Sequence, residues 1–203
     1  MIITYQVKNA IYVNLTNRCP CACTFCLRQN GPGVYGSDSL WLEREPTIEE
    51  AKESFNQWDL NQFPEVVFCG YGEPTERLDD MLTLCKWLKE KYPALKIRVN
   101  TNGLADLIAG EPTEARFKGL VDTLSISLNT DNPKEYLDVC RPRFGEAAYP
   151  AMLKFAETAK AYVPNIVMTI VDSPVTTPEQ QAACQKICDG LGVKLRIRPY
   201  ESK

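Results

Sequence analysis

The segment NRCPCACTFC (residues 17–26) places four of the chain's nine cysteines in ten positions. Thiolates at that density ligate zinc, pair as disulfides or hold an iron–sulfur cluster. The chain has no histidine. That removes His-bearing zinc sites, a Ser-His-Asp triad and imidazole acid–base catalysis. Within the segment the spacing Cys19-x3-Cys23-x2-Cys26 stands out, with Cys21 the odd member. A structural zinc site takes four ligands, commonly as two separated pairs, and no second pair lies at a suitable distance. Cys184 and Cys188 are spaced i, i+4 in an apolar helical pattern and read as core packing, with ligation of an auxiliary cluster the alternative. Three thiolates suit a 4Fe–4S cluster with one iron free of protein ligands.

A second element is FCGYGEPT (68–75), at the end of a predicted strand. Its carboxylate and backbone carbonyls can accept hydrogen bonds from an ammonium group, and its glycines admit close backbone approach. Alone it reads equally as a Gly-Pro turn closing a strand. Together, Cys19-x3-Cys23-x2-Cys26, Phe25 before the last cysteine, the preceding strand YVNLTNR and Gly70-Tyr71-Gly72-Glu73-Pro74 resemble the signature of the radical S-adenosylmethionine (SAM) superfamily.

Apolar, β-branched runs at 10–16, 65–70, 96–100, 123–129, 165–172 and 194–200 must position these residues. Helical patterns lie between most of them. Thr47 and Glu50 have capping-box spacing, and Ile48, Ala51, Phe55 and Trp58 share one face. Leu78, Met81, Cys85 and Leu88 share a face, and Thr177-Pro178 opens a helix that Gly190 and Gly192 close. The stretch 130–147 is irregular. Three strands alternate polar with apolar residues: Lys96, Arg98 and Asn100; Ser125, Ser127 and Asn129; Lys194, Arg196 and Arg198. A doubly covered or fully packed parallel sheet reads as continuous apolar runs instead. The expectation is α/β: an open partial (β/α)6 barrel of parallel strands with helices on the outside, in one domain over 1–203. Solvent-facing edge positions are the alternative for the last strand.

The composition is that of an ordinary globular protein, 44% hydrophobic and 24% charged, with a net charge of −3. No broad basic surface for nucleic acid follows from that charge, and no apolar run approaches a membrane span. The N-terminal alternation is neither a signal peptide nor a targeting helix, so a cytoplasmic location is expected.

What the resemblance implies is more specific. Cys19, Cys23 and Cys26 would hold the [4Fe-4S] cluster, and Gly70, Tyr71, Gly72 and Glu73 the amino end of SAM. Asn100 would line the SAM pocket, Ser127 and Asn129 would meet the ribose or the methionyl carboxylate, Arg141 would pair with that carboxylate, and residues 169–173 would border the adenine. For each of these single residues a structural role is the alternative. Reductive cleavage of SAM would yield a 5′-deoxyadenosyl radical that takes hydrogen from a small-molecule substrate. The electron would come from an external donor of flavodoxin or ferredoxin type. Apart from the resemblance, the polar faces of the strands put Lys96, Arg98, Arg196 and Arg198 in the inferred lumen, which would favour an anionic ligand beyond SAM's own carboxylate. The length and GSDSLWLEREPT (36–47) are also similar to the small radical SAM proteins associated with TatD-family hydrolases. The loop 29–46, with Trp41, would cover the site or dock a partner, or simply connect elements around one buried Trp. An enzyme that installs a glycyl radical on a partner protein, and a non-catalytic cysteine metal module, are the rival readings.

Overall fold

The computed structural model describes residues 1–31, 33 and 37–200. Seven strands form one sheet in chain order: β1 (Thr4–Val7), β2 (Ala10–Val13), β3 (Glu65–Phe68), β4 (Lys96–Thr101), β5 (Thr123–Ser127), β6 (Asn165–Val171) and β7 (Lys194–Arg198). Neighbours from β2 to β7 pair in parallel, and these are the six expected strands. β1 is an addition. It pairs antiparallel with β2 through a two-residue turn at Lys8 and Asn9, with Lys8 at a φ of 54°. Such turns need positive φ and usually signal themselves with Asn-Gly or Asp-Gly, which this one lacks. β1 and β7 do not pair, so the sheet stays open.

Crossover helices α1 (Ile48–Ser54), α2 (Leu78–Lys91), α3 (Ala105–Ala109), α4 (Pro133–Cys140), α5 (Ala148–Ala159) and α6 (Pro178–Leu191) connect the parallel strands. α1 and α6 begin in complete capping boxes, Thr47 with Glu50 and Thr177 with Gln180. α6 stops at Gly192, whose φ of 65° costs a glycine little. The irregular stretch 130–147 contains α4, which is capped by Asn132 ahead of Pro133 and ends on Arg141 in the left-handed region.

The period-2 pattern divides the sheet into two faces. Ile97, Val99, Leu124, Ile126, Met168 and Ile170 point outward and are buried against Met81, Leu84, Leu88, Met152 and Phe155 of the helices. Each such side chain contributes roughly 1.5–3 kcal/mol by leaving water. Cys85, Cys184 and Cys188 lie in the same core, where burial pushes Cys184 up to about 12 and Cys188 up to about 11. The alternate residues line the inner face, as the polar pattern requires. All nine cysteines are free thiols. Among the described residues no helix is long and apolar enough to cross a membrane.

Candidate active site

The cysteine loop leaves the C-terminal end of β2 and is anchored on both sides. Ala22 N donates to Cys140 O (3.0 Å), Thr24 N to Val139 O (2.9 Å) and Arg143 N to Pro20 O (2.8 Å). The final carbonyls of α4 lack partners within the helix, and the loop satisfies two of them. On the other side Arg77, at the start of α2, bonds Leu15 O (3.0 Å), Pro46 O (2.7 Å) and Asp80 (2.5 Å). Asn17 exchanges two hydrogen bonds with the backbone of Leu42.

Cys19, Cys21, Cys23 and Cys26 line one cavity of about 710 Å³, together with Phe25. The same cavity is lined by Gly70, Tyr71, Gly72 and Glu73 after β3, by Asn100 of β4, and by Ser127 and Asn129 at the end of β5. Val171 is the residue of 169–173 that reaches it. Arg98, Arg196 and Arg198 line it too, whereas Lys96 does not. Arg141 is exposed at the end of α4, outside the lining, and its Nε donates to Asp138 O (3.2 Å).

The thiols differ in electrostatic setting. A hydrogen bond with Cys21 holds Cys19 below the ordinary thiol range. Hydrogen bonds with Cys140 and Cys21 do the same for Cys23, while those two donors are pushed up. Cys26 is raised by burial. Cys21 is buried, and Asn102 Nδ2 lies 3.8 Å from its sulfur. Cys19 and Cys23 are thus the loop thiols most ready to act as thiolates, the form that ligates metal.

The glycines of GYGEP answer first to the protein's own chain. A Cβ on Gly70 would stand 2.2 Å from Asn14 Oδ1, and one on Gly72 would stand 2.2 Å from Thr16 O. Glu73 is buried and its carboxylate accepts four bonds. Oε1 takes Thr75 N (3.1 Å), Thr75 Oγ1 (2.9 Å) and Thr101 Oγ1 (2.7 Å), and Oε2 takes Asn102 N (2.7 Å). One acceptor position is left on Oε2. Burial raises the Glu73 pKa despite these donors.

The residues fit the two groups implied by the sequence. Three partly buried thiols with no histidine or carboxylate between them match the donor type that an iron–sulfur cluster takes. Among the described residues no three His, Cys, Asp or Glu side chains are grouped as ligands of a single metal ion. Asn100 Oδ1 and Asn129 Oδ1 are buried in the cavity wall without a protein hydrogen-bond partner, which leaves them free to accept from a ligand or a water in the cavity.

Tyr12, Glu65, Cys69, Asn102, Ser125 and Cys140 also line the cavity and were not singled out as site residues from the sequence. Tyr12 and Glu65 carried a signal, since each falls on the inner face of its strand. Cys140 carried none, because only the fold of α4 brings it to the cysteine loop. Trp41 is 43% exposed, not buried, and stacks edge-on against Tyr71 at 5.0 Å. The loop assigned to 29–46 lies partly outside the described residues, at 32 and 34–36.

The family model for the radical SAM superfamily matches residues 13–187. Among curated proteins no relative matches the chain. Among solved structures, SuiB of Streptococcus suis bound to its precursor peptide SuiA is similar at a TM-score of 0.68 and 16% identity, over 98% of this chain and 40% of that one. SuiB bound to S-adenosylmethionine aligns at 0.63 and 17%, over 94% and 38%. A radical SAM methyltransferase from Sphaerobacter thermophilus aligns at 0.65 and 13%, over 97% and 68%. The chain therefore spans about two fifths of SuiB's length, and what these likenesses establish is the open parallel fold.

Proposed function

The chain belongs to the radical SAM superfamily of enzymes, and from that premise we propose that Cys19, Cys23 and Cys26 hold a 4Fe–4S cluster beside a SAM pocket and that the enzyme takes hydrogen from a small molecule. The observation that carries this reading is the convergence of three thiols and two unpartnered asparagine carbonyls on one cavity. When bound, the cluster and SAM supply one-electron reduction of the sulfonium and the hydrogen-abstracting power that follows from it.

The chain's own residues bind, orient and exclude. Cys19, Cys23 and Cys26 would hold the cluster and would leave one of its irons without a protein ligand. Backbone carbonyls of Gly70–Glu73 accept from the ammonium group of SAM, and Glu73 holds Thr101 and Asn102 in place beside them. Asn100, Ser127 and Asn129 offer oxygen acceptors for ribose hydroxyls. Asn129 suits this duty: its φ of 66° turns the chain at the end of β5, while its Nδ2 is committed to Cys140 Sγ at 3.3 Å. Phe25 and Tyr71 keep water from that end of the cavity, and Tyr71 is fixed by its hydroxyl donating to Gly31 O (2.7 Å). Arg141 receives no role in this reading. A cytoplasmic setting and an electron donor of flavodoxin or ferredoxin type belong to the same proposal, in keeping with nine free thiols.

The test is anaerobic reconstitution with iron and sulfide, followed by incubation with SAM and a strong reductant and assay for 5′-deoxyadenosine. A brown protein that releases 5′-deoxyadenosine is the expected result. A colourless protein that never cleaves SAM would end the proposal.

A further inference from the structure

Three guanidiniums line the cavity, and they are not equally compensated. Arg98 is paired with Glu65 at 2.8 Å and also reaches the Tyr12 hydroxyl at 3.5 Å. Arg196 makes a single long bond to Ser125 Oγ (3.4 Å) and has no carboxylate partner among the described residues. Arg198 keeps its Nε buried with no hydrogen-bond partner among them. Desolvation on its cavity side and then the proximity of Arg98 and Arg198 push Arg196 below its ordinary range, with Glu65 opposing the shift and the residue remaining exposed. Glu65, the carboxylate that acts on Arg196, is itself paired with Arg98, and neither Arg196 nor Arg198 forms an ion pair of its own among the described residues. Confined like charges focus a field that draws in a counter-ion, and the planar guanidinium fork matches a carboxylate or phosphate bidentately.

We infer that Arg196 and Arg198, with Ser125, form a subsite for an anionic group, phosphate or carboxylate, carried by the substrate. The pair stands on β7, at the opposite edge of the parallel array from the strands that carry the cysteine loop and Gly70–Glu73. One cavity thus spans the array, from the cysteine loop to the arginine pair at its second end. The inference rests on the function proposed above, since it assigns the second end to the molecule that meets the radical.

Calorimetric titration of the reconstituted protein at low ionic strength tests it, with inorganic pyrophosphate and citrate as probes. The expected result is one equivalent of probe bound, weakened roughly tenfold or more by Arg196→Gln and by Arg198→Gln and less by Arg196→Lys. Tighter binding of pyrophosphate assigns the group as phosphate, and tighter binding of citrate assigns it as carboxylate. Absence of binding to the wild type at millimolar probe, or binding unchanged in Arg196→Gln/Arg198→Gln, overturns the subsite. Circular dichroism of each variant separates loss of binding from loss of fold, and the lysine variant keeps the test open if a glutamine variant is unfolded. A parallel titration with SAM keeps the two proposals apart. Probe binding without SAM binding defeats the function proposed above and leaves the anion subsite standing. One-for-one displacement of probe by SAM gives the arginines to SAM's own carboxylate and ends the inference.

Discussion

Replacing Glu73 tests how the site is held together. The carboxylate is 4% exposed and accepts from two backbone N–H groups and two hydroxyls. In Glu73→Ala the Thr75 and Thr101 hydroxyls can rotate to other acceptors, but the N–H groups of Thr75 and Asn102 cannot. An orphaned buried N–H costs about 1–3 kcal/mol, and water reaches the partly buried Asn102 more readily than Thr75, so the loss is roughly 2–4 kcal/mol. For a chain of this size that corresponds to roughly 5–15 °C in Tm. SAM affinity falls with it, because residues 101–102 border the pocket. Glu73→Gln keeps the shape and adds a pH signature. Burial raises the native pKa above its unfolded value, so between the two the folded state binds the extra proton. Ionisation therefore lowers wild-type stability as pH rises through that interval. The stability of wild type relative to Glu73→Gln declines there and is level on either side. Denaturant unfolding of full chains at a series of pH values, under anaerobic reducing conditions, measures it. A loss below about 1 kcal/mol in Glu73→Ala would refute the accounting, and so would a wild-type advantage that grows with pH in that interval.

Cys19→Ala, Cys23→Ala and Cys26→Ala each lose cluster iron and sulfide and all SAM cleavage, whereas Cys21→Ala keeps its iron; elemental analysis after reconstitution decides. Gly72→Ala drives a methyl group into the Thr16 carbonyl and costs about 3 kcal/mol or more, read as a drop in denaturation midpoint. Asn129→Gly preserves the left-handed backbone but removes the amide, so stability changes little while SAM affinity falls roughly tenfold; calorimetry with SAM checks it.

The inner face of the sheet was legible in the sequence because strands alternate strictly. Arg98, Asn100, Ser125, Ser127, Asn129, Arg196 and Arg198 all reach the cavity. The cysteine loop and GYGEP were legible as chemistry, but not the reason for the glycines: close approach to Asn14 and Thr16 is a contact between segments more than 50 positions apart, which no local pattern encodes. β1 escaped because a four-residue strand turning on Lys-Asn has no glycine signal. α4 escaped because it has eight residues and ends on an arginine in the left-handed region, where glycine is the usual marker. Arg141 thereby came to cap a helix, its side chain exposed. Trp41 follows from the same limit, since its exposure depends on how residues far along the chain place Tyr71.

The open sheet has a further consequence for the isolated molecule. β7 offers one unpaired rim of backbone donors and acceptors, with Ile197 45% exposed and Tyr200 39% exposed beside it, the kind of strand on which another chain's strand can add and begin an aggregate. Lys194 and Arg196 are exposed on that strand, so two copies approaching rim to rim bring like charges together before their backbones can join. Arg196, which lines the cavity, thus also places a charge on the open edge of the sheet.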